Sequence, residues 1–143
     1  MNRIGVVAVS LAWAAVAAAD PPAEPRVNPV ADPAKAICII ENPDVKATFL
    51  AAYKEELEAR GLKVAVLKQP DNFYDCPMTS TYWALWGADS IIGFIYTVDY
   101  IRLNVYRDGR LAGYAKYERP NGYVINKADN KVKELVAALF PQG

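Results

Sequence analysis

Histidine is absent from this chain of 143 residues. That removes the commonest general base and the commonest metal ligand. A Ser-His-Asp arrangement is excluded, and a zinc site would depend on carboxylates with at most two thiolates, because the chain holds only 2 cysteines. Neither sign of charge is in excess: 16 Lys and Arg face 16 Asp and Glu. Nucleic acid and anionic membranes call for clustered positive charge, and this balance offers none. A glycine-rich phosphate loop is also missing, since Gly109 and Gly113 fall in a hairpin pattern and Gly122 does not join a strand to a helix. No internal repeat is visible and no cofactor is expected.

Beyond the N-terminus no apolar run approaches the ~20 residues of a bilayer span. The N-terminal run itself reads differently. Arg3 gives a short positive region, Ile4 to Val16 is apolar, and Ala17-Ala18-Ala19 before Asp20 meets the small-x-small rule for signal peptidase. Residues 1–19 are therefore expected to be a cleaved signal peptide, and the location periplasmic or secreted. No Cys closely follows the apolar run, so a lipoprotein acceptor is lacking. From Asp20 to Lys35 the chain is rich in proline. Proline disfavours both helix and strand pairing, which predicts a mobile leader.

A single α/β domain is expected over residues 36–141. Ala36 to Ile40 is a continuous apolar run of strand length, consistent with a buried central strand. Asn42-Pro43-Asp44 reads as a helix start with Asn42 as N-cap, and Gly61 as the left-handed residue that ends the helix. Val45, Phe49, Leu50, Tyr53 and Leu57 form its apolar stripe. Lys63 to Lys68 follows as a strand, which makes a βαβ unit with parallel strands. After a loop of turn formers from Gln69 to Met78, Thr79 to Trp86 reads as a third strand and Gly87 to Ser90 as a turn.

The next strand changes phase. Ile92, Phe94, Tyr96 and Val98 occupy even positions, whereas Ile101, Leu103 and Val105 are odd. A bulge or bend between Thr97 and Tyr100 would reconcile the halves. Asp108-Gly109 is a type I′ hairpin signal, and counting outward from it sets Val105 opposite Ala112, Leu103 opposite Tyr114 and Ile101 opposite Lys116. A last helix carries Val132, Leu135, Val136, Leu139 and Phe140 inward and stops at Pro141. The predicted order is β-α-β-β-β-β-α: an α+β two-layer sandwich, with a mixed sheet of about five strands and two helices on one face.

Cys38 and Cys76 carry the one unambiguous chemistry. In an exported chain they are most simply a disulfide. Closing a loop of about 39 residues would stabilise the fold by ~4 kcal/mol in the chain-entropy picture. The alternative is a buried Cys38 and an isolated loop thiol at Cys76. Carboxylate pairs such as Glu41 with Asp75, or Asp99 with Glu118, leave glycoside hydrolysis open in principle, although acids at strand ends are usually solvated. Aromatic residues gather from Phe73 onward. A half-exposed platform of Tyr and Trp suits sugars or peptides; the plainer reading is that sheets favour these residues anyway. The candidates for such a platform are Trp83, Trp86, Tyr100 and Tyr117, with Arg102 as polar neighbour.

Asn42-Pro43, Phe49, Tyr53, Leu57, Gly61, Cys76-Pro77, Thr79-Ser80-Thr81-Tyr82, the Trp86 to Asp89 step, Val105 to Gly109, Gly113 and Leu135 to Pro141 together resemble a family of short exported proteobacterial proteins. Many of its members are classed as lipoproteins, and the family has no assigned function. The resemblance covers about residues 36 to 141. It departs at Ala88, where the family pattern has a second Trp, and in the missing lipid-acceptor Cys. It implies a small envelope-facing α/β domain and transfers no catalytic residue. The expected function is a non-enzymatic periplasmic or secreted domain that binds or supports an envelope protein or glycan, with homo-oligomerisation through a sheet edge. The alternative is a small hydrolase acting on envelope polysaccharide through paired carboxylates.

Overall fold

The computed structural model describes residues 26–68, 75–89, 95–120 and 127–141. The expected signal segment 1–19, the first residues of the leader and most of the Gln69 to Met78 loop lie outside them. Asp108 and Gly109 adopt φ values of 52° and 73°, both positive as a type I′ turn requires. They join two strands that will be called β5 (Ile95–Arg107) and β6 (Arg110–Glu118). The register beyond the turn differs from simple counting. Tyr106 pairs with Leu111 but Val105 pairs with Gly113, so Ala112 is an extra residue in β6. Everything after it is displaced by one: Leu103 faces Ala115, Ile101 faces Tyr117 and Arg102 faces Lys116. This bulge is what lets Ala115 and Tyr117 enter the core while Lys116 stays half-buried on the other face.

The change of phase is resolved by a second bulge. Strand β4 (Thr79–Asp89) pairs with β5 so that Leu85 faces Tyr100 and Trp86 faces Val98, leaving Asp99 as the extra residue. Val98 and Ile101 are consequently both buried. Asp99 forms an ion pair with Arg119, with Nε 3.0 Å from Oδ1, and Arg119 donates a hydrogen bond to Thr97 Oγ1 at 3.2 Å. The expected turn at Gly87 does not form there: β4 continues through Gly87, Ala88 and Asp89, because Thr97, Tyr96 and Ile95 of β5 extend alongside.

Strands β2 (Ala36–Ile40) and β3 (Lys63–Leu67) are parallel and joined through α1 (Ala47–Ala59), the expected βαβ unit. The helix begins later than Asn42. Asn42 Oδ1 instead accepts the Asp44 N–H at 3.0 Å in an Asx turn, while its own N–H donates to Tyr82 Oη and its Nδ2 to the Tyr82 carbonyl. A side chain committed to β4 in this way cannot also cap a helix. The C-terminus follows expectation: Gly61 has φ 84°, its N–H bonds Glu58 O, and Leu62 N–H bonds Leu57 O, the paired bonds of a Schellman motif.

The leader is not wholly free of the fold, contrary to the expectation for residues 20–35. Val27–Asn28 forms a short strand, β1, antiparallel to β6. Val30 is 4% exposed and donates its N–H to Leu139 O at 2.9 Å. The two paired residues contain no proline, so the ladder loses no donor. With α2 (Ala128–Leu139), the result is an open six-stranded mixed sheet in the order β1-β6-β5-β4-β2-β3. Helices α1 and α2 cover one face, and Phe49, Tyr53, Leu57, Val132, Leu135, Val136, Leu139 and Phe140 share a single core with Ile37, Ile39, Ile101, Leu103 and Val105. The fold class is α+β, with one more strand than the sequence suggests. No helix among the described residues is long and apolar enough to cross a membrane.

Candidate functional site

A strand sends alternate side chains to opposite faces. In β4 the even positions Ser80, Tyr82 and Ala84 are buried under the helices, so Thr79, Thr81, Trp83 and Leu85 stand on the other face. Cross-strand pairing sets Tyr106, Asn104, Arg102 and Tyr100 of β5 opposite these four in turn. The face opposite the helices therefore carries a seam of paired side chains. Trp83 is 37% exposed and Leu85 48%; Tyr100 and Arg102 are half-buried.

Polar contacts fix part of this seam. Asn104 Nδ2 donates to Thr81 Oγ1 at 3.3 Å, and Arg102 Nε donates to Asn104 Oδ1 at 2.9 Å. The Arg102 guanidinium lies 5.0 Å from the centre of the Tyr114 ring, a cation–π distance. At the Tyr106 end the face deepens into a groove of about 650 Å³, lined by Ile40, Cys76, Thr79, Thr81, Tyr106 and Asp108. Its margin is tied down by the Cys38–Cys76 disulfide, whose Cα atoms are 6.0 Å apart. Ile37 and Ile39 occupy the core, which turns Cys38 toward the opposite face, where it reaches Cys76.

The five proposed platform residues do not come together. Trp83, Tyr100 and Arg102 share the open face. Trp86 has the parity of Tyr82 and Ala84 and packs on the helix side, edge-on to Phe49 at 6.0 Å with Lys46 Nζ 4.7 Å above its ring. Tyr117 is 7% exposed, on the core side opposite Ile101, with Lys131 Nζ 4.8 Å from its ring. The bulge at Ala112 is the reason: without it Tyr117 would stand beside Tyr100, a place taken by Glu118. Thr79, Thr81, Asn104 and Tyr106 were not among the platform candidates, and Asp108 was read only as part of the turn. The signal of the first four was present, since they continue the parity of Trp83 and Arg102 along the paired strands.

Beneath the seam lie two tyrosines that shape β4. Tyr53 Oη and Ser80 Oγ are 2.7 Å apart in the core. Burial pushes the Tyr53 hydroxyl well above its ordinary pKa, and the bond to Ser80 opposes this in part. Burial also raises Tyr82, the Asn42 N–H bond lowers it, and the nearby Glu41 charge raises it further. Both are neutral, structural hydroxyls over the physiological range. No cluster of three or more Cys, Asp or Glu suited to a metal ion occurs among the described residues.

No protein-family model matches this sequence, and no curated protein matches it. The fold is similar to that of the PelC dodecamer from Paraburkholderia phytofirmans, with TM-score 0.58 and 13% identity over 80% of this chain and 93% of that one. A variant of the same dodecamer gives TM-score 0.57 and 14% identity over 82% and 97%. A minor lipoprotein from Acinetobacter baumannii overlaps at only TM-score 0.29, with 14% identity over 71% and 84%. At such identities the likeness establishes the fold alone.

Proposed function

We infer that this chain is a non-enzymatic domain of the cell envelope, whose open sheet face contacts an envelope component and which assembles with copies of itself. The observation that carries the reading is the seam of Trp83, Leu85, Tyr100 and Arg102 on a sheet face that no helix among the described residues covers. Exposed Trp and Tyr beside an Arg are the residue types that dominate recognition surfaces. Three further points support it. The disulfide suits an oxidising compartment. The signal-like N-terminus and the resemblance to short exported proteins agree with that compartment. The solved structures of similar fold are dodecamers, and β3 lies at one end of the sheet, the position from which a strand can pair with another copy.

Expression of the full sequence in a Gram-negative host, followed by fractionation and intact mass with and without reductant, tests the compartment. The expected product starts at Asp20, lacks free thiols, and is recovered outside the cytoplasm. An uncleaved chain with two reactive thiols would overturn the assignment. A photo-crosslinking amino acid at position 83 tests the face. Adducts with envelope material are expected there and not from position 54 on α1, and equal labelling at both positions would remove the open face as the contact surface. Native mass spectrometry should show a defined multimer; a monomer at micromolar concentration would end the assembly part of the reading.

A further inference from the structure

Resting on the reading of the open face as a contact surface, we propose that its β4/β5 seam is a binding track for a linear, neutral glycan, with the groove at Tyr106 as the terminal subsite. Dimensions come first. From Thr79 to Leu85 the seam runs ~20 Å at ~3.4 Å per residue, the length of about four linked pyranose rings. Along it the side chains change in the order a sugar chain can use. The groove supplies hydroxyls from Thr79, Thr81 and Tyr106 and a carboxylate from Asp108. These accept and donate hydrogen bonds to ring hydroxyls. Next comes the exposed indole of Trp83 beside Arg102, and then Leu85 beside Tyr100. Aromatic faces pack against the C–H faces of pyranoses while contributing area at little conformational entropy cost.

Charge decides the class of glycan. Asp108 stands at the groove, Arg102 and Lys116 are paired in the middle, and Glu118 is opposite Tyr100 at the far end. A polymer with one sign of charge on every unit would meet a like charge somewhere along this track, and like-charge contact is what excludes wrong partners. An uncharged chain meets no such penalty. The seam is also partly preorganised, since Arg102 is held by Asn104 and stacked on Tyr114, and Asn104 is held against Thr81. The disulfide pins Cys76 beside the groove. Fixed side chains of this kind lose less entropy when a flexible ligand binds.

Tryptophan fluorescence and calorimetry of the mature, oxidised protein against ladders of neutral gluco- and xylo-oligosaccharides test the inference. Affinity is expected to rise at least tenfold from the disaccharide to the tetrasaccharide and then level off. Trp83→Ala should weaken tetrasaccharide binding at least tenfold. Asp108→Asn, which keeps a residue tolerant of positive φ, should weaken it several-fold, and Lys133→Ala on α2 should leave it unchanged. No saturation by any neutral ladder, length-independent binding, tighter binding of a uronic acid ladder, or indifference to Trp83→Ala would each overturn the proposal. If the ladders fail while position 83 crosslinks to an envelope protein, the glycan track falls and the contact face stands; failure of both removes both.

Discussion

Tyr53 shows how a single hydroxyl sets a pH limit on this fold. Because burial raises its pKa, the folded state favours the neutral phenol. Its contribution is complete below the unfolded value of about 10 and is lost as the pH rises above that. The unfolding free energy should therefore fall by ~1.4 kcal/mol per pH unit above pH ~10 on account of this group. Urea melts of the parent and of Tyr53→Phe check it: the variant should lose that part of the alkaline slope, and identical slopes would contradict a buried neutral Tyr53. Trp83 and Trp86 make the complementary case. Trp83→Ala should cost less, ~1 kcal/mol, since over a third of the side chain is exposed. Trp86→Ala should cost ~2 kcal/mol, because it removes the ring packed against Phe49 and under Lys46. Three residues of separation give these side chains opposite parity, a distinction the sequence already contained. What parity alone could not say was which face the helices would cover.

Elements of this sheet are joined at places where a small residue or a covalent bond permits it. Strand β1 lies so close to β6 that a Cβ on Gly113 would stand 2.7 Å from Val30 Cγ2 and 2.8 Å from Asn28 O. Glycine within a strand marks such close backbone approach. Gly113→Ala should therefore detach β1, at a cost of ~1–3 kcal/mol, with faster hydrogen exchange at the Val30 N–H as the specific readout. Unchanged exchange there would show that β1 had room to move. At the other side of the sheet the disulfide ties β2 to the segment entering β4. Replacing Cys38 and Cys76 by Ser together should cost ~4 kcal/mol in urea unfolding. The βαβ unit, the hairpin and α2 were legible because each rests on local signals: Gly61, Asp108-Gly109, and the 3.6-residue stripe from Val132 to Phe140. The start of α1 was not legible, since Asn42 serves β4 through Tyr82, a contact 40 residues away.

Among the described residues, two helices are enough to cover one face of six strands, and neither packs on the second face. That division follows from the count of layers: a sheet with apolar and polar sides needs only one helical layer to form a core. The sequence by itself determined the α+β class, the parallel βαβ unit, the position of the hairpin turn and the need for a bulge between Thr97 and Tyr100, because these depend on neighbours a few residues apart. Only the tertiary structure decided the pairing of β1 with β6, the bulge at Ala112, the direction of Cys38, and the separation of Trp83, Tyr100 and Arg102 from Trp86 and Tyr117. Each of these depends on which side chains gain most by burial once strands distant in sequence are in register. One extra residue reverses the facing of all that follow, and no local pattern records where the fold will place it.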